Sequence, residues 1–504
     1  MRKIRLFLNR LFWVLVALYV TVIVLVHVPA VQRAIGSQVA KAVGEELGTT
    51  VQIGRVDLGF FNRLVIDDVL ILDQQQKELL NAHRLTTKID LLALMQGKVS
   101  ISSVQVFGAH LKIYRRTASS PTNIQFVLDS LASKDTTTHT PLDLRINSLI
   151  MRHSSVSYDQ YDQPLTPQHF NVKHLLAKDI SAHIQLKTLK DDSIHVAVKR
   201  LSLREQSGLR IEKLAFRLTG GRYSVRLEDF YLKLPASVVE MPVLTASYRW
   251  KDDQPDVSTL RFSGDIHNSS VTPSDLSPFE PLLQSLHETV YLSTTFSGTP
   301  EHLDVQQLNM RSDTGFQLLG NGMLDLSDEL PAWAATLQRL QFSSHTIQTL
   351  AQALQQRHIT LPAVVTRLGT VQLQGAFSGE HGAMKADSRL STGAGSATLT
   401  ASMNAQREFT ADVTTNDLQL HQLLDNAQLG SLSAQLHASG SLPKGESPQV
   451  NVEGTINQVD FKGYSYRDIQ LNGHYDTALM SGQFAVDDPN LRRPHRRDPS
   501  CQAT

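Results

Sequence analysis

The chain has 504 residues, 41% of them hydrophobic and 19% charged, and its 48 basic and 48 acidic side chains cancel. That composition excludes a disordered chain, and the charge balance excludes an overall basic footprint for nucleic acid. Cys501 is the one cysteine, so no intrachain disulfide can form; a long chain without cysteine pairs fits a bacterial envelope, where unpaired thiols risk oxidation.

Residues 1–10 form a basic stub in which Arg2, Lys3, Arg5 and Arg10 precede an apolar run over 11–28. The run comprises Leu11, Phe12, Trp13, Val14, Leu15, Val16 and Leu18, then Val22, Ile23, Val24, Leu25 and Val26, interrupted by Thr21 and His27. Its length matches a single crossing of a hydrocarbon core. Lys and Arg mark the cytoplasmic side, so the body is expected beyond the inner membrane, in the periplasm. The rival reading is a cleaved secretory signal ending near Val28-Pro29-Ala30. The anchor is preferred because the apolar core exceeds a usual signal core. The chain also continues as an amphipathic helix over 31–47, with Val31, Ile35, Val39, Ala42, Val43 and Leu47 on one face.

From residue 49 to 490 the pattern changes to period two. Leu142, Leu144 and Ile146 alternate with polar residues, as do Leu214, Phe216 and Leu218, and later Leu432, Ala434, Leu436 and Ala438. One apolar face and one wet face predict an antiparallel sheet. Loops are expected at 117–123, 133–141, 159–168 and 443–448, where Ser, Thr, Pro, Asp and Gln gather. The second half repeats weakly. Short helices are expected at 347–356 and 417–426, each leading to a strand that ends in Ser-Gly, at Gly379 and Gly440. An earlier copy runs from Asp275 to Gly298. Such repeats favour an elongated stack in which each unit covers its neighbour. Residues 491–504 lose the alternation, gather four arginines, two prolines and Cys501, and are expected to be a disordered tail or the product of a shifted frame.

No motif for hydrolysis, phosphate binding, dinucleotide binding or a zinc centre is present. The chain therefore reads as a non-enzyme with no cofactor and no metal. His169 and His174 lie five apart without an acidic or thiol partner at useful spacing, and read as solvated positions. The pairs Asp67-Asp68, Asp191-Asp192 and Asp487-Asp488 read as turn residues that bond local backbone. Arg115-Arg116 and Lys199-Arg200 read as solvated strand ends.

What remains is the apolar face itself. A curled sheet could leave it lining a trough filled by acyl chains. About 15 methylenes lose roughly 12 kcal/mol on entering water, and a continuous apolar surface removes that barrier. Candidate lining residues are Val104, Val106, Ile194, Val196, Val198, Val371 and Leu373. With about 30 strands at about 4.8 Å each, the stack would reach on the order of 140 Å. The expected fold is mainly β: an elongated, twisted antiparallel β-groove with an N-terminal transmembrane helix and short accessory helices. The competing expectation is a tethered β-repeat scaffold or adhesin with closed sandwiches that binds envelope proteins by its outer faces.

The order of stub, anchor, amphipathic helix and Thr50-Val51-Gln52-Ile53-Gly54-Arg55-Val56-Asp57-Leu58 resembles TamB and AsmA-like envelope proteins. The segments from Ile101 to Gly108, Asn123 to Phe126 and Val459 to Gly473, with Asp488-Pro489-Asn490, are similar to that family's repeating segments. The resemblance covers residues 1–490 and is to the amino-terminal part of the family. It implies an inner-membrane-anchored protein of outer-membrane biogenesis, with phospholipid, or outer-membrane protein, passing across the periplasm. It also implies an outer-membrane partner, a barrel of the Omp85 type. The family's carboxy-terminal docking domain has no counterpart in this sequence.

Overall fold

The computed structural model describes residues 27–59, 63–89, 99–132, 142–190, 193–251, 254–355, 361–443, 448–476 and 479–486, with single positions between 12 and 24. Among them are 23 strands and a few short helices, so the chain is mainly β. The strands are fewer than the 30 expected because many are long: β4 spans Val99–Arg115 and β5 spans Leu142–Gln160. Contacts divide the chain into two compact units.

The first unit begins with α1 (Pro29–Leu47), opened by a proline in its first turn and closed by Gly48 in the left-handed region at φ 61°. It packs on β1 (Val51–Gly59). The buried face is Gln32, Gly36 and Ala40, one residue round from the expected face; Val43 is exposed. Close approach selects that face. A Cβ on Gly36 would lie 3.3 Å from the Arg55 backbone, and one on Gly44 would lie 2.8 Å from the Thr49 carbonyl. Gln32 Nε2 adds a 2.7 Å bond to Asp57.

Strands β1, β2 (Arg63–Leu72), β3 (Glu78–Ile89) and β4 follow as antiparallel neighbours. The pair β4 and β5 is parallel, against the expectation of a wholly antiparallel sheet. The connection between them carries α2 (Gln125–Ala132), and a crossover of that length allows the chain to return in the same direction. Antiparallel order resumes through β6 (His174–Lys190), β7 (Ser193–Glu205) and β8 (Arg210–Gly221). β9 (Ser224–Lys233) follows in sequence.

Within these strands a line of left-handed residues interrupts the alternation: Asp68, Gly108, His153 and Asp179, at φ 54°, 61°, 50° and 53°. Gly, Asp, Asn and His tolerate this region best. The register runs unbroken through Asp68 and Gly108 and shifts beside His153 and Asp179. A left-handed residue offsets the alternation by one, so Ile66, Val69 and Ile71 pack in one cluster with Ala82 and Ala109. Asp67-Asp68 therefore lies mid-strand, not at the expected turn.

The second unit is the more regular. It runs from β10 (Val238–Lys251) and β11 (Gln254–Val271) through β12 (Val290–Gly298), β13 (His302–Ser312), β14 (Gln317–Asp325) and β15 (Ala332–Phe342). Then come β16 (Val371–Glu380), β17 (Ala383–Thr392), β18 (Gly395–Met403) and β19 (Glu408–Gln419). β20 (Leu429–Ser441), β21 (Gln449–Phe461), β22 (Tyr464–Asp476) and β23 (Leu479–Val486) complete it. Each strand pairs antiparallel with the next in sequence, an open ladder.

The repeat seen in the sequence corresponds to four strands. Helical inserts precede β12, β16 and β20: two short 3₁₀ turns (Pro273–Leu276 and Pro281–Ser285), α3 (Ser344–Gln355) with α4 (Ala363–Arg367), and α5 (Leu420–Leu424). Each of these strands ends in Ser-Gly, and each Gly lies opposite an aromatic residue of the preceding strand: Phe262 with Gly298, Trp333 with Gly379, Phe409 with Gly440. The space is needed. A Cβ on Gly379 would collide with the Trp333 indole, and one on Gly298 would sit 3.1 Å from the Phe262 ring.

Candidate functional site

Cross-strand register shows how far apolar residues continue from strand to strand, because directly paired residues share a face. In the first unit Val104 pairs with Leu149, Leu149 with Ile184, Ile184 with Val198 and Val198 with Phe216. A neighbouring row passes through Leu85, Val106, Met151, Ala182, Leu201 and Leu214. In the second unit one row starts at Leu292 and passes through Met310, Leu318, Leu340, Leu373 and Leu390. It continues by Ala397, Ala434, Ile456 and Ile469 to Val486, and only Thr415 breaks it. Strand by strand, the ladder carries an apolar lane across twelve strands, apolar on eleven of them and interrupted at Thr415.

Both units leave most of these rows half-buried: in the first, Ala182 and Val198 are the buried members, and the cover is tighter only beside the rows. In the first, Val69, Ala82 and Ala109 are buried, with Val106 packed against them. Val198 is 7% exposed. In the second, the rows are half-buried almost throughout, and Ala434 is the buried member of the lane from Leu292. The side chains of α3 and α5 that are buried, Ile347, Ala353 and Leu423, belong to the helices themselves. α4 and α5 are tied together by Arg367, which donates to the Leu423 carbonyl and to Asp425 at 3.0 Å. These helices lie at the strand ends and leave the middle of the rows without a second layer among the described residues.

The seven candidate lining residues thus fall into two groups. Val106 and Val198 are part of a packed core. Val104, Ile194, Val196, Val371 and Leu373 are half-buried members of the apolar face. None of the seven lines any of four concavities of the described surface, whose walls mix polar and apolar residues. At the amino terminus, Arg2, Lys3, Arg5 and Arg10 lie outside the described residues, as do Leu11, Leu15, Leu18, Val22, Ile23, Leu25 and Val26. Phe12, Trp13, Val14, Val16 and Val24 are described as helical, and Phe12, Trp13, Val14 and Val24 are exposed. No helix among the described residues is long and apolar enough to cross a membrane. Asp191-Asp192, Asp487-Asp488 and the tail 491–504 are likewise outside.

Titratable groups are spent on holding strands together. Asp67, 5% exposed, accepts from Arg84 Nε at 2.6 Å and from Arg55 Nε at 2.7 Å. Burial alone would raise this carboxyl, but the hydrogen bonds and charges of Arg84 and Arg55 outweigh it and hold it below the ordinary range. His174 is buried, not solvated as expected. Its Nδ1 bonds Asp159 at 3.0 Å and its Nε2 meets the Gln163 carbonyl at 2.9 Å, contacts that raise its pKa. Its partner lies fifteen residues upstream, beyond any motif spacing. His169 is exposed. Among the described residues no group of three His, Cys, Asp or Glu could hold a metal ion.

Compared with known proteins, the chain matches no family model, no curated protein and no solved structure.

Proposed function

We propose that this chain is an inner-membrane-anchored envelope protein whose apolar sheet face carries phospholipid acyl chains across the periplasm. The single observation that supports it is the apolar lane of the second unit, which spans twelve strands with one polar member, Thr415, and is half-buried for most of its length. A soluble β protein hides such a face under a second layer. Acyl chains are the occupant that matches an extended, uncharged, non-directional surface at about 0.8 kcal/mol per methylene. The resemblance to TamB and AsmA-like proteins supports the same reading and adds the barrel partner. The open ladder agrees less well with a scaffold of closed sandwiches. In this proposal the run over 11–28 is the anchor and residues 49–490 are the conduit.

The test is photo-crosslinking in membranes with a phospholipid bearing a diazirine on its acyl chain, followed by native mass spectrometry. Wild-type chain should carry lipid. A variant combining Val371→Asp, Leu373→Asp and Leu399→Asp should lose most of the crosslink while keeping its β circular dichroism. Equal labelling of the two chains would overturn the proposal.

A further inference from the structure

A concavity of 1330 Å³ crosses β19 to β23, lined by polar side chains in two rows with Val413, Leu436, Gly454, Leu471 and Phe484 between them. One row of its lining is Asp412, His437, Glu453, Asn472 and Gln483, each directly paired with the next. The second row, two residues along each strand, is Thr414, Gln435, Thr455 and Gln470. A further concavity of 410 Å³ shares Asp412 and extends the hydrophilic surface back to β15 through Thr400, Asp387 and Thr336. Five strands at about 4.8 Å make the larger trough about 20 Å long.

These side chains are unlike their neighbours on the same face. Elsewhere, polar cross-strand partners bond each other: Ser402 with Thr410 at 2.9 Å, His474 with Asn451 at 2.6 Å, Gln372 with Gln341 at 3.1 Å. In the trough only His437 and Asp412 do so, at 2.7 Å. Thr414, Gln435, Thr455, Gln470, Asn472 and Gln483 make no side-chain hydrogen bond among the described residues. A concave strip of unspent amides and hydroxyls can exchange hydrogen bonds in both directions with a ligand.

We propose that this trough binds a glycan chain laid across the strands. Its chemistry separates that ligand from the alternatives. Asp412 and Glu453 are carboxylates and no Lys or Arg lines the trough, so a polyanion such as nucleic acid is repelled. An extended peptide recognises a sheet through backbone groups at an edge, whereas here those groups are consumed in the ladder and only side chains are on offer. A glycan presents hydroxyls and acetamides along its whole length. It suits two rows of acceptors and donors, one carried on all five strands and the other on four, with Ala485 at the β23 position. The site lies on the face opposite the apolar lane, so it stands or falls independently of lipid binding.

The test is isothermal titration calorimetry of the full chain in detergent with cellohexaose and with the hexamer of N-acetylglucosamine. At least one should bind saturably and more tightly than its monosaccharide. The double substitution Gln470→Ala with Asn472→Ala should weaken binding by about tenfold or more, and Asn451→Ala, outside the concavity, should leave it unchanged. Thermal melts of the exposed-residue variants check that the fold is intact. No saturable binding of either hexamer would overturn the proposal. So would an unchanged affinity in the double variant, or equal binding of a neutral hexapeptide.

Discussion

The two units use the same alternation and reach different ends. In the first, α1 lies on β1, the left-handed Asp68 brings Ile66, Val69 and Ile71 to one face, and polar residues are buried in bonded knots. Tyr114 donates to Asp73 at 2.6 Å, Arg115 donates to buried Gln160, and His174 bonds Asp159. In the second, larger unit the strands repeat in fours, and its apolar rows, like the two rows traced through the first, are half-buried for most of their length. Alternating hydrophobicity therefore reports which face is oily and not whether anything covers it. Cover depends on helices and on left-handed positions within strands, which fall to a few Gly, Asp and His residues.

The strongest way to break that comparison is to place one charge on the apolar face of each unit. Val198→Asp puts a carboxylate among Ile184 and Phe216 with no partner, and should cost about 3–4 kcal/mol. Leu399→Asp, on a half-open row, should cost about 1 kcal/mol, because its carboxylate can keep water. Hydrogen exchange resolved by segment is the suitable measure, since a long array need not unfold in one step. Equal losses of protection would mean that the two faces are covered alike.

The next largest effect sharpens the account of the first unit's polar knots. Asp67→Ala leaves Arg55 and Arg84 without their shared carboxylate across three strands, and should cost about 2–3 kcal/mol. The pH dependence has a definite sign. The folded carboxyl titrates below the unfolded value of 3.8, so its contribution is present above that pH and fades as pH falls through the folded pKa. The wild type should lose protection in β1 to β3 in that acid window, and Asp67→Ala should lose little more there. A parallel decline in both chains would show that the pair is not what stabilises these strands.

Much of this architecture was legible in the sequence, for physical reasons that also explain the misses. Strands such as Leu214-Ala215-Phe216-Arg217-Leu218 announce themselves because a period of two is a geometric property of the strand. The helical inserts and Ser-Gly ends were readable because Gly298, Gly379 and Gly440 recur at one place in a repeat. The left-handed positions within strands were not. Asp68, His153 and Asp179 belong to the residue types that favour turns, and a left-handed residue within a strand uses the same chemistry. The parallel pairing of β4 and β5 is set by the crossover, which no alternation records. The hydrophilic trough is also invisible to pattern, since Gln470 and Asn472 read as any wet positions until register lines them up with Thr455 and Glu453.

His174 gives the smallest and most discriminating difference between the units. It ties β6 to β5 through Asp159, and its bonds to that carboxylate and to the Gln163 carbonyl raise its pKa above the ordinary imidazole value. A raised pKa stabilises the folded chain fully below the unfolded value of 6.5, and the contribution is lost as pH rises through the folded pKa. His174→Gln should therefore cost about 1 kcal/mol in mildly acid buffer and less in alkaline buffer. The comparison residue is His437, which bonds Asp412 in the same way but on the surface of the second unit, and whose pKa is also raised. Both imidazoles should titrate high by NMR, yet only His174→Gln should change amide protection nearby. A pKa is set by the partner, whereas its effect on stability requires that water cannot replace that partner, and the two histidines separate these conditions.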